Sequence, residues 1–190
     1  MGTKPLQRRA FLRILAGGVA GGLAAVPGAG LAAACPGAGT PLQFAPHWGP
    51  DPEPLVDELG KYPRCPYCGM DRRQWHHTRH LVHYTDDRVD PTCSLHCAAL
   101  GLALNLDRGP RAVHAADSGA TGAPLPLVRV DPGPAWYLVG AALPGTMTRR
   151  SKRAFGAEAA ARAVQAEHGG EITGFNGALE AAYADMAADT

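Results

Sequence analysis

The stretch that decides the fold is residues 64–70, RCPYCGM, and its chemistry supports three interpretations. Cys65 and Cys68 have the spacing of a redox dithiol, and the same spacing forms the knuckle of many zinc sites. Cys68 and Met70 also offer a thiolate and a thioether together, a pair of donors that suits a soft metal ion. The flanking sequence distinguishes among these interpretations.

A redox dithiol needs a buried strand before the first cysteine and a helix that begins at it, because the helix N-terminus lowers the thiol pKa. Residues 58–64, ELGKYPR, contain no apolar run that would form a buried strand. Residues 69–77 show no apolar helical face. The redox interpretation is therefore disfavoured, although a thiol–disulfide protein that uses Cys65 and Cys68 remains an alternative.

Two further cysteines, Cys93 and Cys97, favour a metal site. They follow a predicted hairpin over residues 81–90, and Asp90 and Pro91 predict the N-cap and first residue of a helix. The two cysteines would then lie one helical turn apart and face the same ion. Knuckle, hairpin and helix N-terminus form a treble-clef arrangement. We therefore predict that the four cysteines converge, and a structural zinc module is one outcome.

Met70 favours copper over zinc. A structural zinc knuckle has no use for a thioether, whereas cuprous ion accepts a thiolate and a thioether together. Cys68 and Met70 are two residues apart, so they can lie on one side of an extended segment. Met147, within the loop LPGTMT at residues 143–148, lies on no predicted apolar face and is a second candidate thioether. The ordinary alternative for both methionines is packing in the core.

Several histidines accompany the cysteines, and a solvated loop is their ordinary explanation. His83 alternates with Leu81 on the first predicted strand and could face the site, while His96 lies between the two helix cysteines. Both are candidates to contact the metal ligands from outside, or to complete the metal shell. The cluster that directly follows the knuckle consists of His76, His77, His80 and His83.

The N-terminus predicts export. Arg8-Arg9-Ala10-Phe11-Leu12 precedes an uncharged Gly/Ala-rich run from Ile14 to Ala34, the pattern of a cleavable signal. The paired arginines indicate the twin-arginine (Tat) route, so we predict a Tat-type signal peptide over residues 1–35 and a periplasmic protein. Cys35 is a candidate lipidation site that would anchor the protein to the membrane. A single transmembrane anchor is the alternative.

Charge and motifs exclude several functional classes. Of the 18 Lys and Arg residues, four lie in the signal, which leaves 14 basic against 17 acidic side chains and a formal charge of −3. The short basic run at residues 149–153 is typical of a solvated strand edge, so no nucleic-acid surface is predicted. No nucleophile–base pair or nucleotide-binding loop is present, and we predict that the protein is not an enzyme.

The predicted fold class is α+β. Residues 36–61 are rich in Pro and Gly and predict a tether. Residues 62–132 and 133–190 each predict strand, strand, helix and strand, giving two small ββαβ, treble-clef-like units that pack together because neither buries enough core alone. The predicted strands are residues 80–85, 88–90, 127–130, 135–140, 152–155 and 172–175, and the predicted helices are residues 91–106, 157–168 and 178–187.

The order of these motifs resembles the NosL family, accessory proteins of nitrous oxide reductase. YCGM at residues 67–70 follows an exported N-terminus and is joined by AWYLVGA at residues 135–141. A methionine-containing loop and RAFGAEAAARAVQAEHGGEI at residues 153–172 come next, before a short closing helix. The resemblance covers about residues 60–180. It implies a Cu(I) chaperone that delivers copper by ligand exchange for assembly of a periplasmic multi-copper cluster in denitrification.

The resemblance also implies specific ligands and partners. The Cys-x-Met motif of the family falls on Cys68 and Met70, and its loop methionine falls on Met147. The implied partner is a copper enzyme, nitrous oxide reductase or its maturation complex, and a homodimer stays open. This chain departs from the family pattern in having threonine after the loop methionine and in three additional cysteines, which could also hold zinc, namely Cys65, Cys93 and Cys97.

Overall fold

The computed structural model describes residue 46 and residues 48–188. The predicted signal peptide, Cys35 and residues 36–45 of the predicted tether lie outside the described residues. Among the described residues, no helix combines the length and apolar character needed to cross a bilayer. The elements in chain order are α1 (Glu58–Lys61), β1 (His80–Tyr84), β2 (Val89–Thr92), α2 (Leu95–Leu104), β3 (Pro110–Ala116), β4 (Leu127–Asp131), β5 (Trp136–Val139), β6 (Lys152–Phe155), α3 (Glu158–His168), β7 (Glu171–Thr173) and α4 (Phe175–Ala188).

These strands form two small antiparallel sheets, so the predicted α+β class is confirmed. The first sheet has the strand order β2-β1-β3-β4, and the second has the order β6-β5-β7. Both β1 and β2 are buried along their whole length, and helix α2 packs against both strands. Burial in the first sheet is therefore continuous on β1 and β2, the two strands that precede the second pair of cysteines, whereas β4 is mostly exposed or partly buried.

Strand β3 is not among the strands predicted from the sequence, and that omission is wrong. Residues 110–116, PRAVHAA, are rich in alanine, which has a low intrinsic preference for strands. Pairing with β1 nevertheless places Val113 opposite Val82 and buries it completely. The predicted third strand of this half, residues 127–130, is observed as β4, at the edge of the sheet beyond β3.

The predicted start of helix α2 at Pro91 is also wrong. Pro91 belongs to β2, an edge strand, where a residue without an N–H group is tolerated. Asp90 does not cap the helix, because its carboxylate accepts hydrogen bonds from the hydroxyls of Tyr67 (2.7 Å) and Tyr84 (2.8 Å). The helix begins at Leu95, and Cys93 lies in the turn that precedes it.

The second sheet agrees more closely with the sequence. Strand β6 has the predicted bounds. Helix α3 ends at His168 as predicted, and the next residue, Gly169, has a φ of +67°, a conformation that favours glycine. Both sheets contribute to one apolar core, in which Val82 and Val113 lie in a common cluster with Tyr137 and α4 residues. The described residues belong to one compact unit, and a boundary between residues 132 and 133 stays a prediction.

The described part of the predicted tether packs against the first sheet. Trp48 makes an edge-on contact with Tyr62 at a ring-centroid distance of 5.4 Å, and the Tyr62 hydroxyl donates to Asp51 at 2.5 Å. Glu58, in the short helix α1, is 7% exposed. Composition alone does not indicate these contacts, and they bring a buried carboxylate close to the knuckle.

Candidate metal site

The knuckle is a closed turn that runs from Arg64 to Asp71. The Cys65 N–H donates to the Met70 carbonyl at 2.9 Å, and the Gly69 N–H donates to the Cys65 carbonyl at 2.9 Å. Gly69 has a φ of +75°, a left-handed conformation that glycine adopts without the steric penalty of a side chain. This turn brings Cys65, Cys68 and Met70 together.

The second pair of cysteines reaches the same place from the opposite side. Cys93 lies between β2 and α2, and Cys97 lies in the first turn of α2. Cys93 lies before the helix, so the two cysteines are not one helical turn apart as predicted, yet their sulfurs are 3.8 Å from each other. The Thr78 hydroxyl fixes the Cys93 backbone by donating to its carbonyl at 2.8 Å.

The four sulfurs have the separations of a ligand set for one ion. They all lie within 4.8 Å of one another, and the Cys68 and Cys93 sulfurs are 3.4 Å apart. A tetrahedral ion with metal–sulfur bonds of 2.3 Å needs sulfurs about 3.8 Å apart. The donors therefore fit a thiophilic metal ion after shifts of less than about 1 Å.

A fifth sulfur adjoins this set. The Met70 thioether sulfur lies 3.8 Å from the Cys93 sulfur. Cys65, Cys93 and Cys97 are buried, whereas Cys68 and Met70 are only partly buried. The sulfur cluster, defined here as these five residues, is consequently closed on the side of the three buried cysteines and accessible on the side of Cys68 and Met70.

Electrostatics within the sulfur cluster favour one thiolate at Cys65. Hydrogen bonds from Cys93 and then Cys97 lower the pKa of the Cys65 thiol well below its ordinary value. The hydrogen bond to Cys65 correspondingly raises the pKa of the Cys97 thiol far above its ordinary value. A cation that binds all four sulfurs must therefore displace protons from the remaining thiols, which links metal binding to pH.

A buried arginine, which the sequence analysis missed, connects the knuckle to the sheet. Arg72 is fully buried, and its guanidinium donates to the carbonyls of Tyr62 (2.7 Å), Thr92 (3.2 Å) and His80 (3.2 Å). It also pairs with Glu58 at 2.9 Å. Because Arg72 is two residues from Met70 and Thr92 directly precedes a cluster cysteine, this one side chain positions both halves of the site. A single arginine produces no periodic pattern that could have indicated this role.

The two histidines singled out by the sequence lie in different surroundings. His83 contacts Asp87 at 3.1 Å, at the turn of the β1–β2 hairpin, and not the sulfur cluster. His96 is in α2 between the cysteines and lines a small polar cleft with Thr78 and Thr146. Neither histidine belongs to the group of convergent ligand atoms found among the described residues.

Met147 lies in a loop that is connected to the site through two threonines. The hydroxyls of Thr146 and Thr78 are 3.1 Å apart, and Thr78 in turn holds the Cys93 carbonyl. Met147 itself has a φ of +64° and is 43% exposed. The loop is thus connected to the sulfur cluster through the two threonines, whereas Met147 is not among the residues that pack in that cluster.

Both the sequence and the fold are similar to those of known proteins. The sequence model of the NosL family matches residues 56–182. The crystal structure of the copper chaperone NosL from Shewanella denitrificans is similar to this structure with a TM-score of 0.50 and 21% sequence identity, over 60% of this chain and 87% of that chain. At this identity the likeness establishes a shared fold. No curated protein matches the sequence.

Proposed function

This chain belongs to the NosL family, and from that premise we propose that it is a Cu(I)-binding accessory protein that delivers copper for assembly of a copper enzyme. The proposed acceptor is nitrous oxide reductase or its maturation complex. The function is binding and transfer of an ion without catalysis. The fold shared with a copper chaperone supports this proposal.

The observation that carries the proposal is the thioether of Met70 beside the thiol of Cys93, at 3.8 Å. Zinc sites in proteins use Cys, His and carboxylate ligands, whereas a thioether is a ligand of soft ions such as Cu(I). Met70 is also only partly buried, which is unusual for a methionine that merely fills a core. Its sulfur is therefore placed to serve as a donor at the accessible side of the sulfur cluster.

The transfer proceeds by ligand exchange at that accessible side. Cys68 supplies an anionic anchor and Met70 a neutral, weaker donor, so the ion is held without a large excess of negative charge. A thiolate or imidazole of the acceptor binds copper while the bonds to the sulfurs of this protein are still present, and these bonds, those to Cys68 and Met70 included, then break. Copper stays Cu(I) throughout, so no oxidant or reductant is required. Met147, in the neighbouring loop, is the proposed additional thioether.

A structural zinc site is the second candidate, and a specific observation favours it. Cys65, Cys93 and Cys97 are at most 2% exposed, and with Cys68 they form a four-thiol set of the size that zinc needs. The thiol–disulfide alternative has less support, because Cys65 is buried and the knuckle is a turn that does not begin a helix.

The proposed location is the periplasm. The paired arginines and apolar run before residue 35 support export by the Tat route, and Cys35 supports a lipid anchor. These residues lie outside the described ones, so the support comes from sequence. A protein with free thiols in this compartment requires either a bound ion or protection of the thiols from oxidation.

The test is a competition for metal under anaerobic conditions. The purified protein is analysed for bound copper and zinc, and Cu(I) is titrated against a chelator for wild type, Cys68→Ala and Met70→Leu. Met186→Leu is the matched control, because Met186 packs against the main core and not the sulfur cluster. We expect stoichiometric Cu(I) binding that is lost in Cys68→Ala, weakened at least tenfold in Met70→Leu and unchanged in the control. Stoichiometric zinc, with no Cu(I) site that competes with the chelator, would establish the structural zinc candidate instead.

A further inference from the structure

A cavity of about 360 Å³ lies away from the sulfur cluster, between β6, α3 and the segment that follows β3. Its walls are mostly apolar and include Leu125, Leu143, Phe155 and Val164. No cysteine of the sulfur cluster lines it. This volume is at the lower end of the range for pockets that bind small molecules.

One arginine in this cavity has no anionic partner. Arg153 lines the cavity, and its two terminal nitrogens are each 3.4 Å from a backbone carbonyl, those of His77 and Pro144. Its Nε atom is buried and has no hydrogen-bond partner among the described residues, and no described carboxylate lies within 4.0 Å of the guanidinium. Burial lowers the pKa of Arg153, and no neighbouring charge offsets this effect. A partly buried cation in such surroundings is normally paired.

A buried hydroxyl lies in the wall of the same cavity. Ser118 also lines the cavity, and its Oγ atom is buried without a hydrogen-bond partner in the described part of the chain. The Ser118 N–H donates to the carbonyl of Ala154 at 2.8 Å, which fixes Ser118 beside the residue that follows Arg153. Buried polar groups are nearly always hydrogen-bonded, so two unpaired donors in one cavity indicate a ligand that accepts from both.

We propose that this cavity binds a small molecule in which a carboxylate is attached to an apolar body. The carboxylate accepts hydrogen bonds from the Arg153 guanidinium and the Ser118 hydroxyl, and the planar guanidinium matches its two oxygens. The apolar body replaces water against Leu125, Phe155 and Val164.

The cavity also contacts the two loops that flank the metal site. Leu143 forms part of its wall, and the carbonyl of Pro144 faces Arg153, at the start of the loop that carries Met147. The His77 carbonyl, on the other side of the guanidinium, belongs to the segment that follows the knuckle. A bound carboxylate therefore lies against both loops.

The test uses 3-phenylpropanoate as probe and the neutral 3-phenylpropanamide as its matched analogue. Each is titrated into the full chain, labelled with ¹⁵N, under reducing and metal-free conditions, and binding is followed by NMR. We expect the carboxylate to bind with a Kd on the order of 1 mM, as is usual for so small a ligand, and to shift the amide signals of Ser118, Leu125 and Phe155. The amide is expected to bind at least tenfold more weakly, because it carries no charge.

Variants locate the site. Arg153→Gln should weaken carboxylate binding at least tenfold, and Val164→Phe, which fills the cavity without changing its polar groups, should weaken it as well. Arg162→Gln is the control, because Arg162 is exposed on α3 and pairs with Glu158. Equal affinity for the two probes, no shifts at these amides up to about 10 mM carboxylate, or unchanged binding in Arg153→Gln would each overturn the proposal. If Arg153→Gln does not fold, unchanged binding in Val164→Phe overturns it.

Discussion

Replacement of Arg72 by leucine should strongly destabilise the metal-free protein. Arg72 is fully buried, donates to three backbone carbonyls from separate segments, and pairs with Glu58. Leucine removes all of these interactions and leaves the three carbonyls without this donor. The variant therefore tests whether the knuckle is held in place by the protein before any metal binds.

The expected loss follows from the individual contacts. A hydrogen bond from a charged group contributes about 1.5–3 kcal/mol, and removal of one partner of a buried ion pair costs about 3–5 kcal/mol. These values do not add, because Glu58 keeps its 2.7 Å contact with Arg79 and is not left uncompensated. The contact between Arg72 and Glu58 at 2.9 Å also lacks hydrogen-bond alignment and counts as an ion pair only. We expect the free energy of unfolding to fall by about 3–5 kcal/mol.

Urea unfolding, followed by circular dichroism with a reductant and a metal chelator present, measures this change. Arg79→Leu is an informative comparison, because it removes one ion pair and only one hydrogen bond to a carbonyl. We expect it to lower the free energy of unfolding by about half as much as Arg72→Leu. Arg162→Leu, on the surface of α3, should change the free energy of unfolding by less than about 0.5 kcal/mol. A loss below about 1 kcal/mol for Arg72→Leu would refute the reasoning. If Arg72→Leu is unfolded in buffer, Arg72→Lys, which keeps the charge but loses the planar fork, should show an intermediate stability.

Three further predictions concern pH, metal and backbone conformation. Burial lowers the pKa of His80 to about 4, below the unfolded value of about 6.5, so the unfolded chain binds more protons between these values. His80 should thus contribute about 3 kcal/mol to the fall in the free energy of unfolding as the pH falls from 6.5 to 4 in urea titrations. A pH dependence in His80→Gln equal to that of wild type would contradict this assignment. Cu(I) at 100 times its Kd should stabilise wild type by about 2.7 kcal/mol in the same assay. It should leave Cys93→Ala unaffected, because Cys93 contacts three other sulfurs. Equal stabilisation of both proteins would argue against the sulfur cluster as the site. Gly69→Ala should lower the free energy of unfolding by about 1–2 kcal/mol, because Gly69 has a positive φ. Gly49→Ala, at an open position without positive φ, should lower it much less. Equal losses would exclude backbone strain as the cause.

The sequence predicts most reliably what depends on local pattern. Strand β6 and helix α3 have clear apolar spacing and a Gly169-Gly170 ending, and their observed bounds agree with the prediction within one residue. The convergence of the four cysteines follows from the knuckle spacing and the intervening hairpin, and their sulfurs are indeed within 4.8 Å of one another. The choice of metal does not follow from these residues.

The errors arise where distant partners decide the local structure. Asp90-Pro91 has the composition of a helix start, but the Asp90 carboxylate is occupied by two tyrosine hydroxyls, one of them 23 residues away. Strand β3 is stabilised by its place between β1 and β4 and not by its own alanine-rich sequence. Glu58 lies in a Pro/Gly-rich region, yet two buried arginines hold it against the body. Periodicity within a short window contains none of this information.

The position of the cysteines on two distant segments would link a bound ion to the topology of the chain. Cys68 and Cys93 are 25 residues apart, and the whole β1–β2 hairpin lies between them. An ion bound to both closes this segment into a ring, as a covalent crosslink would, and so removes conformations from the unfolded ensemble. In the proposed transfer this ring opens when copper leaves, and the knuckle then depends on Arg72 and its own turn to keep its shape. We therefore expect the metal-bound chain to resist proteolysis better than the metal-free chain.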